Sequence, residues 1–124
     1  MENVTGLKTE VGLLEGRDAI YLEKIVFDGE TKVTLTGELN LDKGRNFEMT
    51  FGGVIYFSAM ELDFDGRGQV ESLGTIDNSE KLKAFKTRDH SRKTNDRHRH
   101  YYIRTYDTVF EIVSDTFRLT VNGL

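Results

Sequence analysis

Residues 33–51 read VTLTGELNLDKGRNFEMTF, and this stretch decides the fold. Val33, Leu35, Leu39 and Leu41 share one parity with Gly37, while Thr34, Thr36, Glu38 and Asn40 fill the other. Successive side chains of a strand point to opposite faces, so a period of two gives one apolar face and one wetted face. Asp42-Lys43-Gly44-Arg45 supplies a turn. Beyond it, Phe47, Met49 and Phe51 alternate with Asn46, Glu48 and Thr50.

The same grammar extends in both directions. Asp28-Gly29, Gly52-Gly53 and Asp65-Gly66-Arg67-Gly68 are further turn signals in a chain with 12 glycines and no proline. Met60, Leu62 and Phe64 alternate with Glu61, Asp63 and Asp65, and Phe117, Leu119 and Val121 alternate with Arg118, Thr120 and Asn122. Ile20–Phe27 is apolar on both parities, which predicts a central strand buried on both faces. Tyr101–Tyr106, Thr108–Val113 and Thr116–Val121 read as three strands, the last two joined by a tight turn at Ser114-Asp115. Leu7–Leu14 fits a strand or a short helix, and Gly52-Gly53 fits a hairpin turn or a bulge.

One helix is expected over Ser79–Lys86. Asp77 with Glu80 three residues later has the form of a capping box, and Leu82 and Phe85 share a face. The expected class is a mainly β, single-domain antiparallel β-sandwich or partly open barrel with that one short α-helix, spanning residues 1–124. Parity assigns the core to Ile20, Leu22, Val26, Val33, Leu35, Leu39, Leu41, Phe47, Met49, Phe51, Leu62, Phe64, Phe117, Leu119 and Val121.

Composition limits function. The chain has 124 residues, a net charge of −4 and no cysteine. It therefore has no disulfide framework, no thiol nucleophile and no Cys-type zinc site. The acidic balance argues against general nucleic-acid binding. The opening MENVTGLKTEVGLLEG lacks a basic region followed by an apolar run, and no apolar run reaches membrane-spanning length. A cytoplasmic protein without membrane contact is expected.

The segment that stands apart is TRDHSRKTNDRHRH, residues 87–100. It has no apolar side chain and holds all 3 histidines. Arg88, Arg92, Lys93, Arg97 and Arg99 face only Asp89 and Asp96, so it carries a local charge of +3 within an acidic chain. A polar loop of this kind has little burial to offset its ordering entropy, so it is expected to be mobile. Its bland reading is a loop lying against acidic strand faces such as Glu61 and Asp63. His98 and His100, two apart, could reach one metal from a strand, with His90 across the loop. No further ligand pattern supports that, so solvated histidines are the default and no metal or cofactor is assigned. Along the following strand His98, His100, Tyr102, Arg104 and Tyr106 share one face, with Arg99, Tyr101, Ile103 and Thr105 on the other.

No catalytic residues are assigned. A nucleophile elbow G-x-S-x-G is absent, and Asp63-Phe64-Asp65-Gly66 lacks the remaining ligands of a calcium loop. The leading expectation is a non-enzymatic binding or regulatory module that meets a protein or anionic partner through Arg92, Lys93, Arg97, His98, Arg99, His100, Tyr102 and Arg104. The alternatives are a small-molecule-binding or hydrolytic β-barrel with an enclosed pocket, and a nucleic-acid-binding accessory protein. In size and class the pattern is similar to small bacterial interaction proteins, toxin-immunity proteins among them. That likeness implies a kind of partner and no mechanism.

Overall fold

The computed structural model describes residues 1–41 and 44–122, so Asp42 and Lys43 of the expected turn lie outside the described residues. The strands are β1 (Asn3–Gly6), β2 (Ile20–Asp28), β3 (Lys32–Leu39), β4 (Arg45–Gly52), β5 (Tyr56–Glu61), β6 (Leu73–Asp77), β7 (Arg99–Arg104), β8 (Thr108–Ser114) and β9 (Thr116–Val121). The one α-helix among the described residues, α1 (Glu80–Arg88), lies between β6 and β7. All ladders are antiparallel and form two sheets, β1-β6-β7-β8-β5 and β2-β3-β4-β9. Among the described residues the sheets do not close into a barrel.

The main core lies between the sheets, where the alternation of residues 33–51 places it. Val33, Leu35, Leu39, Phe47, Met49 and Phe51 come from one sheet, and Leu73, Tyr101, Ile103, Phe110 and Ile112 from the other. A smaller cluster of Ile76, Tyr102 and Val109, with Val4 and Leu62 against it, sits on the opposite face of the five-stranded sheet. That second cluster, together with α1, covers a face that alternation alone would leave wet.

β2 is an edge strand and not a central one. Its register against β3 shifts between Leu22 and Lys24. Ile20 and Leu22 face inward before this bulge; after it Ile25 takes over, opposite Leu35. Switching faces at a bulge produces apolar residues on both parities without burial on both sides. Val26, expected in the core, is 40% exposed for this reason. Gly37 lies opposite Leu22, and a Cβ there would meet the Tyr21 carbonyl at 1.9 Å, so the bulge requires glycine.

The other corrections concern chain ends and crossings. The β5 strand stops at Glu61, and a one-turn 3₁₀ helix over Leu62–Phe64 leaves Phe64 75% exposed. Gly52-Gly53 neither closes a hairpin nor bulges a strand. It carries the chain from one sheet to the other, since β4 pairs with β9 and β5 with β8. Ser114-Asp115 is likewise no hairpin turn, because β8 and β9 belong to different sheets. Such bends are how a chain changes layers at the corner of a sandwich. Leu7–Leu14 is neither strand nor helix and folds around a Thr9–Gly12 bridge. Strands β1 and β6 were not anticipated. Each is too short and too glycine-rich to show a period.

Candidate functional site: a groove between the helix and β7

The helix begins where β6 turns sharply. Asn78 takes φ +55°, a left-handed conformation that asparagine tolerates better than most residues. The next residue, Ser79, is the N-cap, and its Oγ accepts the Leu82 amide at 3.0 Å. The expected capping box fails because Asp77 is the last residue of β6 and accepts hydrogen bonds from Asn3 and Thr5 instead.

Helix α1 lies near the face of β7 that carries His100. Phe85 packs on Tyr56, and the Tyr56 ring meets His100 edge-on at 6.4 Å. Consequently His98 and His100 are not solvated, whereas His90 in the loop is exposed. His98 is 2% exposed and His100 3%. Each ring is held by defined partners.

His100 is the centre of a continuous polar chain. Its Nδ1 lies 2.6 Å from Ser79 Oγ, and its Nε2 lies 2.7 Å from Glu111 Oε1. The other Glu111 oxygen accepts from the Arg67 guanidinium at 3.1 Å. Arg67 also donates to Asp65 at 2.9 Å, and Tyr102 donates its hydroxyl to the second Asp65 oxygen at 2.7 Å. The β7–β8 register builds this arrangement by placing Tyr102 opposite Glu111 and His100 two residues away on the same face. The hydrogen bond from His100 holds the Glu111 carboxyl below its ordinary range, against the opposing effect of burial, and Arg67 adds to it. Burial, and then the bond to Asp65, push the Tyr102 phenol well above its ordinary value.

His98 ends the preceding loop. Its Nδ1 accepts the Asn95 amide at 3.0 Å, so the neutral ring carries its proton on Nε2. That Nε2 is buried and has no hydrogen-bond partner among the described residues. Asp89 organises the loop by accepting the amides of Lys93 and Thr94 and the Thr94 hydroxyl. These bonds, led by the Thr94 hydroxyl, lower its pKa to about 2. Arg97 and Asn95 reach Asp115, so the loop rests on the β8–β9 corner and not on Glu61 or Asp63.

Both histidines line a groove of about 320 Å³ with Thr75, Ile76, Asp77, Asn78 and Ser79. Leu82, Lys83, Lys86 and Arg99 complete its walls. Three of these groups are cations and one is a carboxylate. Among the described residues no carboxylate lies within 4.0 Å of the basic groups of Lys86, Arg88, Arg92, Lys93 or Arg99.

The eight residues singled out from the sequence therefore do not form one surface. Arg92, Lys93, Arg97 and Arg99 are exposed, and Arg97 is paired with Asp115. His98 and His100 line the groove from inside. Tyr102 is fully buried, and Arg104 is held by the carbonyls of Gln69 and Val70. Ser79, Lys83, Lys86 and Glu111 were not anticipated as site residues. A usable signal existed for Glu111, a lone carboxylate in the apolar run Val109–Val113. Nothing in the spacing announces that Ser79 meets His100, 21 residues away.

Among the described residues no three His, Asp or Glu side chains gather as a metal site, and no helix is long and apolar enough to cross a membrane. No protein-family model matches the chain, nor does any curated protein or solved structure.

Proposed function

We propose that this protein is a binding module whose groove between α1 and β7 receives an anionic group, a carboxylate or phosphate, of a protein or small-molecule partner. The observation that carries the reading is the His98 Nε2–H, a buried donor with no acceptor among the described residues, in a groove walled by Lys83, Lys86 and Arg99. A buried donor without an acceptor costs about 1–3 kcal/mol, and an anion seated there would relieve that cost. Arg92 and Lys93, exposed in the connecting loop, add positive potential that steers an acidic partner toward a protein of net negative charge.

Titration with inorganic phosphate, followed by amide and imidazole chemical shifts, tests the reading. Saturable shifts confined to His98, Arg99, Ser79 and Lys86, weakening as sodium chloride is added, are expected. Lys86→Glu with Arg99→Glu should abolish them while the remaining spectrum is retained. The absence of any saturable shift at His98 in the wild-type protein refutes the proposal.

A further inference from the structure

We propose that Ser79 is the nucleophile of an acyl-transfer site, with His100 as its base and Glu111 holding the imidazole, acting on a carboxylic ester that enters the groove. The proposal rests on this constellation and is independent of whether the groove binds an anion. Nucleophile, base and orienting carboxylate stand in sequence at 2.6 Å and 2.7 Å, within the reach that proton transfer requires. With Glu111 ionised, His100 donates from Nε2, and its Nδ1 is then free to accept the Ser79 hydroxyl proton. This is the proton arrangement of a serine–histidine–carboxylate triad, with the two ring nitrogens exchanged.

The surroundings support the chemistry. The Leu82 amide already donates to Ser79 Oγ, which stabilises negative charge developing on that oxygen at the start of a helix. Ser79, His100 and His98 line the same groove, and the buried His98 Nε2–H, without a partner among the described residues, is the donor assigned to the developing oxyanion. Arg67 braces the far oxygen of Glu111, so the carboxylate that orients His100 is itself held in place.

In the first half-reaction Ser79 Oγ attacks the ester carbonyl carbon, and its proton passes to His100 Nδ1. The tetrahedral intermediate collapses, the carbon–oxygen bond to the leaving group breaks, and His100 gives that proton to the departing alcohol. In the second half-reaction His100 takes a proton from water, and the resulting hydroxide attacks the acyl group on Ser79. The acid is released and the proton returns to Ser79. Ester and water become acid and alcohol, and no other reactant is needed.

The test is covalent labelling of the whole protein with a small fluorophosphonate, read by intact mass and peptide mapping, together with the burst of p-nitrophenol from p-nitrophenyl acetate. Expected results are one adduct on Ser79 and a stoichiometric burst. Ser79→Asn, which keeps a capping acceptor and removes the nucleophile, should fold and give neither. His100→Gln should slow labelling by ~10²–10⁴-fold, the usual effect of losing a general base. Folded wild-type protein that forms no adduct at Ser79 and shows no burst overturns the proposal. So does a burst that survives in Ser79→Asn. A serine serving only as a helix cap would give neither label nor burst.

Discussion

Glu111→Gln tests the polar chain directly. Glu111 accepts from His100 at 2.7 Å and from Arg67 at 3.1 Å, and its side chain is 16% exposed. Glutamine is nearly the same size but has one acceptor oxygen, and its amide nitrogen would point a donor at a donor. With His100 kept in the tautomer that donates from Nε2 to the carboxylate, one of the two bonds is lost. Arg67 has the more exposed side chain of the two donors, at 32% against 2% for His100, so the introduced amide should keep the histidine and release the guanidinium toward water. A hydrogen bond to a charged group contributes about 1.5–3 kcal/mol. Removing one partner of a fully buried ion pair costs about 3–5 kcal/mol, but Arg67 can be resolvated, so the lower figure governs. The expected loss is about 1.5–3 kcal/mol at pH 7, measured by urea unfolding.

The pH dependence carries an independent check. The folded-state pKa of Glu111 is depressed, so its contribution is present above the unfolded value of about 4.3 and fades as pH falls through the folded value. The gap between wild type and variant should therefore narrow below pH ~4, because the glutamine side chain has no proton to take up. A gap within about 0.5 kcal/mol at pH 7, the scale of an ordinary surface substitution, would refute the reasoning. A gap that persists unchanged to pH ~3 would show that shape and not charge is responsible.

Two other substitutions follow from the same geometry. Leu35→Ala, at a fully buried position between the sheets, should cost about 2–5 kcal/mol in urea unfolding, and a loss below ~1 kcal/mol would mean that the inner faces are not packed there. Asp89→Ala removes the acceptor of three bonds from Lys93 and Thr94, so heteronuclear NOE values over Lys93–Arg97 should fall toward those of the loop tip at His90–Arg92. In the wild type the tip should already be the mobile part of the segment, and uniform values from Asp89 to Arg97 in both proteins would contradict that division. The depressed pKa of Asp89 places its contribution above pH ~4, so wild-type loop order should decline toward the folded value as pH falls below that.

The sequence by itself determined the class of the fold and most of its inner face. Period two at Val33–Leu39 and Phe47–Phe51 is a local property of the strand, so it survives whatever packs around it. Leu35, Leu39, Met49 and Phe51 are all buried as that period requires. Glycine punctuation likewise marked the chain's reversals. The tertiary structure decided what each reversal joins: Gly52-Gly53 and Asp115 carry the chain between sheets, and pairing partners are not encoded within a few residues. The bulge at Leu22/Lys24 was hidden for the same reason, since a register shift is a relation between two strands. The site lay furthest from view. A polar parity running from His98 into β7 reads as wetted, and packing against Ser79, Tyr56 and Glu111 turns His100 into a buried group, while His98 is buried with its Nδ1 held by Asn95. Burial is a property of what covers a residue, and Ser79, one of the groups packed on His100, stands 21 residues upstream of it.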